Sequence, residues 1–194
     1  MRDVTFLHNH QLFATAQAKY LHIYDNQGIE LHVMRDHQEP VLLDYLPYHF
    51  LLVSGSKAGF LKYLDYSMGT VVSEARTKRG PPTAMKQNRQ NAVMCLGHST
   101  GEVTMWTPNM GSKPVVRMLA HASSPVTSLS VSRNGNYMVT TGKDARMKVW
   151  DLRKDYKCLY DYFNPAPAAA SDFSDSGLLS VSFGQEVQVW KNST

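Results

Sequence analysis

The sequence predicts an all-β chain of about five repeated four-stranded units, the blades of a β-propeller. Three observations predict it. Apolar runs that end on a large anchor residue recur at a fixed interval, each is accompanied by three further short apolar runs, and turn residues fill the gaps with no sustained helical period.

The anchors are Tyr24, Leu64, Trp106, Trp150 and Trp190, spaced 40, 42, 44 and 40 residues apart. An interval of about 40 to 45 residues is that of WD-type blades, each a four-stranded antiparallel sheet. Asp25, Asp65 and Asp151 follow three of the anchors.

The strands of each unit follow in order. DVTFLHN, PVLLDYL, PTAMKQN, PVTSLSVS and AAASDFS are the expected first strands, and LFATAQ, FLLVSGS, NAVMCLG, YMVTTG and GLLSVSF the second. The anchor runs are third. ELHVMR, TVVSEAR, PVVRML and KCLYDYF come fourth, and the fifth unit stops at its third strand. Turns such as Asn134-Gly135, Ser176-Gly177 and Ser99-Thr100-Gly101 separate the runs. The expected fold is therefore a partial WD-repeat β-propeller over residues 1–194, with blades near 1–37, 38–80, 81–121, 122–163 and 164–194. Propellers of this class usually have more blades and close by joining both chain ends, so the sequence is expected to be part of a longer protein.

Composition fits a globular chain. Of 194 residues 43% are hydrophobic and 19% charged, with a formal charge of +4 and a pI near 9.0. That mild basicity is compatible with nucleic-acid partners without pointing to them. Two cysteines, Cys95 and Cys158, are too few for a disulfide framework, so a reducing compartment is expected. The N-terminus lacks the apolar core of a signal peptide, and no apolar run reaches the roughly 18 residues of a membrane helix. An intracellular protein without a membrane span is expected.

The fourth unit carries four residues at the offsets of a WD-repeat polar network: His121 before the first strand, Thr140 in the second, Asp144 in the turn and Trp150 at the end of the third. Buried imidazole and carboxylate are costly alone, so they satisfy one another and fix the blade. The same set could be read as a nucleophile–base–acid site, but the structural network accounts for its spacing. Six residues before the other anchors stand Ala18, Ala58, Thr100 and Gly184, none acidic. Those blades are expected to be held mainly by apolar packing.

Catalytic signatures are missing: HExxH, CxxC, GxGxxG, P-loop and GxSxG do not occur, so no enzyme, cofactor or small-molecule substrate is expected. His8 and His10 would share one strand face but lack a third ligand, so no metal is expected. His22, His32 and His37 have no evident partner. The two cysteines read as packed thiols. A binding role has more support. The stretch from Arg76 to Asn91 reads as the longest irregular connector and carries Arg76, Lys78, Arg79, Lys86 and Arg89 without an acid. A second basic cluster holds Arg153 and Lys154 with Arg146 and Lys148. Arg76, Lys78, Arg79, Lys86, Arg89, Arg153 and Lys154 are the candidate RNA or protein contacts.

Longer strings carry a more specific signal. RDVTFLHNHQLFATAQAKYLHIYDNQGIELH, YHFLLVSGSKAGFLKYLD, LGHSTGEVTMWTPN and GNYMVTTGKDARMKVWDLRK, in order along essentially the whole chain, resemble the nucleolar WD-repeat family of the small-subunit processome (the U-three small nucleolar RNA-associated protein seven and WD-repeat protein forty-six family). The resemblance implies a non-catalytic scaffold for pre-rRNA processing, placed in the nucleus and nucleolus. It implies processome proteins, including other WD-repeat subunits, the U-three ribonucleoprotein and pre-rRNA as partners. Family members also carry a charged N-terminal extension, more propeller and a basic C-terminal region, which this sequence lacks. Trp150-Asp151-Leu152-Arg153 also resembles the WDxR box of substrate receptors for cullin-type ubiquitin ligases, which makes that role the alternative.

Overall fold

The computed structural model describes residues 1–109 and 113–191. Among them are nineteen strands, one short 3-10 turn and no α-helix. The strands form five antiparallel sheets, each joining neighbours in chain order. The first holds β1 (Asp3–Phe6), β2 (Leu12–Ala16), β3 (Leu21–Asp25) and β4 (Glu30–Met34). The second holds β5 (Pro40–Leu46), β6 (Leu51–Ser56), β7 (Phe60–Asp65) and β8 (Thr70–Arg76). The third holds β9 (Pro82–Asn88), β10 (Val93–His98), β11 (Glu102–Trp106) and β12 (Val116–Leu119). The fourth holds β13 (Val126–Val131), β14 (Tyr137–Gly142), β15 (Arg146–Asp151) and β16 (Lys157–Phe163). The fifth holds β17 (Ala168–Phe173), β18 (Leu178–Phe183) and β19 (Glu186–Lys191). These are WD-repeat propeller blades, four with four strands and one with three.

The chain divides into two compact units, Met1–Pro82 with Thr107–Val115, and Thr83–Trp106 with Val116–Thr194. In the first, Ala14, Ala16, Leu21, Ile23, Leu43, Leu52 and Leu64 form the core. In the second, Cys95, Val103, Met105, Val126, Met138 and Trp150 form one cluster, and Val139, Met147, Ala168, Val181 and Phe183 another. β6 is buried along its whole length and β14 at all but its first residue, which is why LLVSGS and YMVTTG show no alternation of apolar and polar residues. Fourth strands alternate, as β8 and β16 do, because one face meets water.

Irregularities repeat with the blades. Where the third strand pairs with the fourth, the register slips beside the anchor in three blades: between Ile23 and Tyr24, Tyr63 and Leu64, and Val149 and Trp150. Leu31, Val72 and Leu159 are the extra residues of these two-against-one bulges.

A second repeated device ties each blade to the chain that leads into the next. The turn residue five before the anchor offers its carbonyl to that chain. Lys19 O accepts from Glu39 N at 3.0 Å, Gly59 O from Thr77 N at 2.9 Å, Gly101 O from His121 N at 2.9 Å and Ala145 O from Asn164 N at 2.8 Å. Gly59, Gly101 and Ala145 all hold positive φ, of 82°, 83° and 59°. A Cβ on Gly101 would lie 1.7 Å from the His121 carbonyl oxygen, so only glycine fits there.

Two local expectations are corrected. Arg76–Asn91 is not an irregular connector, because β9 occupies Pro82–Asn88. Pro82 takes the first position of the strand, where a missing N–H is tolerated. His8 and His10 do not share a strand face. β1 ends at Phe6 and His8–His10 form the 3-10 turn, where His8 meets Phe50 at 4.9 Å between ring centroids and His10 meets Phe6 at 5.4 Å.

Candidate functional site: a polar network and a basic blade end

In the fourth blade the structure brings His121, Thr140, Asp144 and Trp150 together. Trp150 Nε1 donates to Thr140 Oγ1 at 2.9 Å, and Thr140 Oγ1 lies 3.1 Å from His121 Nε2. His121 Nδ1 lies 3.0 Å from Asp144 Oδ1. The indole can only donate and the carboxylate only accept, so the chain runs one way. The hydroxyl donates to a bare Nε2, and Nδ1–H donates to Asp144. That requires neutral His121, and burial holds its pKa below the ordinary histidine value, against the pull of Asp144 the other way. His121 and Thr140 are both 0% exposed, so the hydroxyl cannot meet a substrate. The network locks a blade.

Blades without an acid were expected to rely on apolar packing. Two of them have polar networks of their own. In the second blade His37 Nδ1 lies 3.1 Å from Ser54 Oγ, at the positions of His121 and Thr140. Ala58 and Leu64 replace the aspartate and tryptophan. His37 is fully buried, which with nearby Lys62 lowers its pKa to about 4. In the third blade Trp106 Nε1 donates to Thr104 Oγ1 at 2.8 Å, and His98 Nε2 lies 2.7 Å from the same hydroxyl. Leu96 holds the position of Thr140, and Thr104 is its cross-strand partner. His98 holds the position of Gly142, where an added Cβ would lie 2.4 Å from His121 Nδ1. The imidazole thus reaches a similar place from another strand.

The aspartates after the anchors cap turns. Asp25 Oδ1 accepts from Gln27 N and Ile29 N, Asp65 Oδ1 from Ser67 N, and Asp151 Oδ1 from Arg153 N. The Arg153 guanidinium also donates to Asp151 and, at 3.1 Å, to the Tyr137 hydroxyl. This pairing holds the Asp151 carboxyl below the usual range.

The candidate basic contacts divide between the two units. Arg76, Lys78 and Arg79 lie where β8 leaves the first unit's second blade, with Arg76 over the Phe60 ring at 5.6 Å. Lys86 is within β9 and pairs with Asp172 at 3.4 Å. Arg89 belongs to the β9–β10 turn and Arg153 and Lys154 to the β15–β16 turn, all exposed on the second unit. These turns, with the β13–β14 turn, lie at the same strand ends. Sequence reasoning found the cations and missed that grouping, because strand polarity decides it.

Residues 112–151 match the family model described as WD domain, G-beta repeat, a span that takes in β12 of the third blade and β13 to β15 of the fourth. Over 98% of its length the chain is 50% identical to U3 small nucleolar RNA-associated protein 7 of Saccharomyces cerevisiae, covering 34% of that protein. It is 43% identical over 98% of its length to WD repeat-containing protein 46 of Homo sapiens, covering 31% of it. Pre-mRNA-processing factor 19 of Oryza sativa is 26% identical over 97% of the chain. The chain spans about a third of the length of these relatives.

Proposed function

Because this chain belongs to the family of U3 small nucleolar RNA-associated protein 7 and WD repeat-containing protein 46, we propose that it serves as a non-catalytic scaffold of the small-subunit processome. In this role it supports processing of pre-rRNA to 18S rRNA in the nucleolus. Its partners are other processome proteins, WD-repeat subunits among them, with the U3 ribonucleoprotein and pre-rRNA. The observation that carries the reading is 50% identity sustained across 98% of the chain to a protein named for its association with U3 RNA. The fourth blade is consistent with it: His121, Thr140, Asp144 and Trp150 are spent on one another, and rigid sheets leave the turns to make contacts.

The test is affinity purification of the protein tagged at its own locus, followed by RNA sequencing and mass spectrometry. Recovery of U3 RNA, 5′ pre-rRNA and processome proteins is expected, and depletion should accumulate unprocessed 18S precursor. Recovery of a cullin adaptor without these RNAs would sink the proposal.

A further inference from the structure

At one end of the second unit three turns from two blades close around a polar pocket of about 260 Å³. They are the β9–β10, β13–β14 and β15–β16 turns. The first two are braced together. Asn88 Nδ2 donates to Gly135 O at 3.1 Å, and Gln90 Nε2 donates to Arg133 O at 3.0 Å. Gly135 is at φ 69°, and a Cβ there would lie 2.6 Å from Asn88 Oδ1, so the wall has no slack.

Three further amides line the pocket with hydrogen-bonding groups unspent among the described residues. Asn91 and Asn134 use only their oxygens, which accept from Val93 N at 3.1 Å and Asn136 N at 3.1 Å, with Ser132 Oγ also on Asn134. The Asn136 side chain makes no bond among the described residues. Val93, Cys95, Met105 and Leu152 form an apolar side of the lining beside Tyr156 and Arg153, and no carboxylate is part of it. Exposed Arg89 and Lys154 belong to the same turns.

We propose that this pocket takes an unstacked base of single-stranded RNA, with the Arg89 and Lys154 cations on the flanking phosphates. Asn136 offers a donor and an acceptor in one plane, the pattern that reads a base edge, and Asn91 and Asn134 add N–H donors. The Tyr156 ring supplies a flat surface for stacking. An acidic peptide would need a free cation inside the pocket, and Arg153, the cation in the lining, is held by Asp151 and Tyr137. A duplex buries the base edges that the amides would read.

Purified full chain would be titrated into fluorescein-labelled single-stranded 12-mers, a matched RNA duplex and an acidic peptide. Binding of single-stranded RNA with a preference of about tenfold or more over duplex is expected. Asn136→Leu should weaken it about tenfold with unchanged melting. Arg89→Ala with Lys154→Ala should flatten the salt slope by about 0.7 for each phosphate no longer neutralised. Lys78→Ala with Arg79→Ala, in the other unit, should leave affinity within about twofold, since neither residue belongs to the turns of this pocket. Crosslinks from 4-thiouridine RNA should map to residues 134–136 or 152–156, a readout that stands even where a variant misfolds. Equal binding of duplex, preference for the acidic peptide, or crosslinks confined to 76–79 would overturn the proposal. It rests on the processome reading only for the source of the RNA. U3 recovery with a failed titration removes the pocket and keeps that reading; the reverse result removes the reading and keeps the pocket.

Discussion

His98 and Thr104, 2.7 Å apart in the third blade, do there what His121 and Thr140 do in the fourth, with the hydroxyl on the third strand instead of the second and the imidazole at the end of the second strand instead of before the first. Each hydroxyl takes the indole N–H of its blade's tryptophan, at 2.8 and 2.9 Å. Thr104→Val and Thr140→Val should therefore cost similar amounts, about 1–3 kcal/mol each, by removing the acceptor of an indole N–H and the hydroxyl bonded to an imidazole nitrogen. Urea unfolding of both variants checks this. A silent Thr104→Val would reduce the third-blade pairing to coincidence.

Asp144→Ala should strand the Nδ1–H of His121 and destabilise by about 1–3 kcal/mol. Gly142→Ala tests the same network by volume, since its Cβ would lie 2.4 Å from both Asp144 Oδ1 and His121 Nδ1. An unchanged melting temperature for both would count against the network.

His37 makes the fold acid-sensitive. Folded, its pKa is about 4, below the ordinary 6.5, because burial disfavours the charged ring. The unfolded chain therefore binds the proton first. Stability is full above pH 6.5 and falls as the pH drops from 6.5 to 4, by about 3 kcal/mol at most for about 2.5 units. Chemical denaturation between pH 7 and 4 should show this loss, and His37→Gln should shrink it.

Ala145 is the turn residue that stands where two other blades have Gly59 and Gly101, yet it keeps φ at 59°. Ala145→Gly should raise stability by about 0.5–1 kcal/mol, because removing the Cβ relieves left-handed strain beyond the entropy it adds to the unfolded chain. Calorimetry decides it; a lower melting temperature would mean the strain is already relieved.

The two thiols should separate kinetically. Cys95 is 1% exposed and burial pushes its thiol up to about 12, whereas Cys158 sits half-buried on β16. An aromatic disulfide reagent should label Cys158 in the native state and Cys95 only on unfolding. Cys158→Ala should remove the faster phase. Labelling of Cys95 in the native state would show that the third blade opens locally.

The blades were legible because strand alternation, turn residues and a constant anchor interval agree along the whole chain. The His121 network was legible because its four residues keep standard offsets. The His98 version was not, since its hydroxyl crossed to the paired strand and left Leu96 at the diagnostic position. His37 looked unpartnered because its serine, Ser54, lies seventeen residues away on β6. The amide pocket has no linear signature: its turns are drawn from residues 88–91, 134–136 and 152–156. The basic run from Arg76 to Arg89 misled for a related reason, because a seven-residue strand, β9, lies inside it.

The bulges beside the anchors bear on self-association. Leu31, Val72 and Leu159 bend the outer strands β4, β8 and β16, so their free edges are poor templates for another chain.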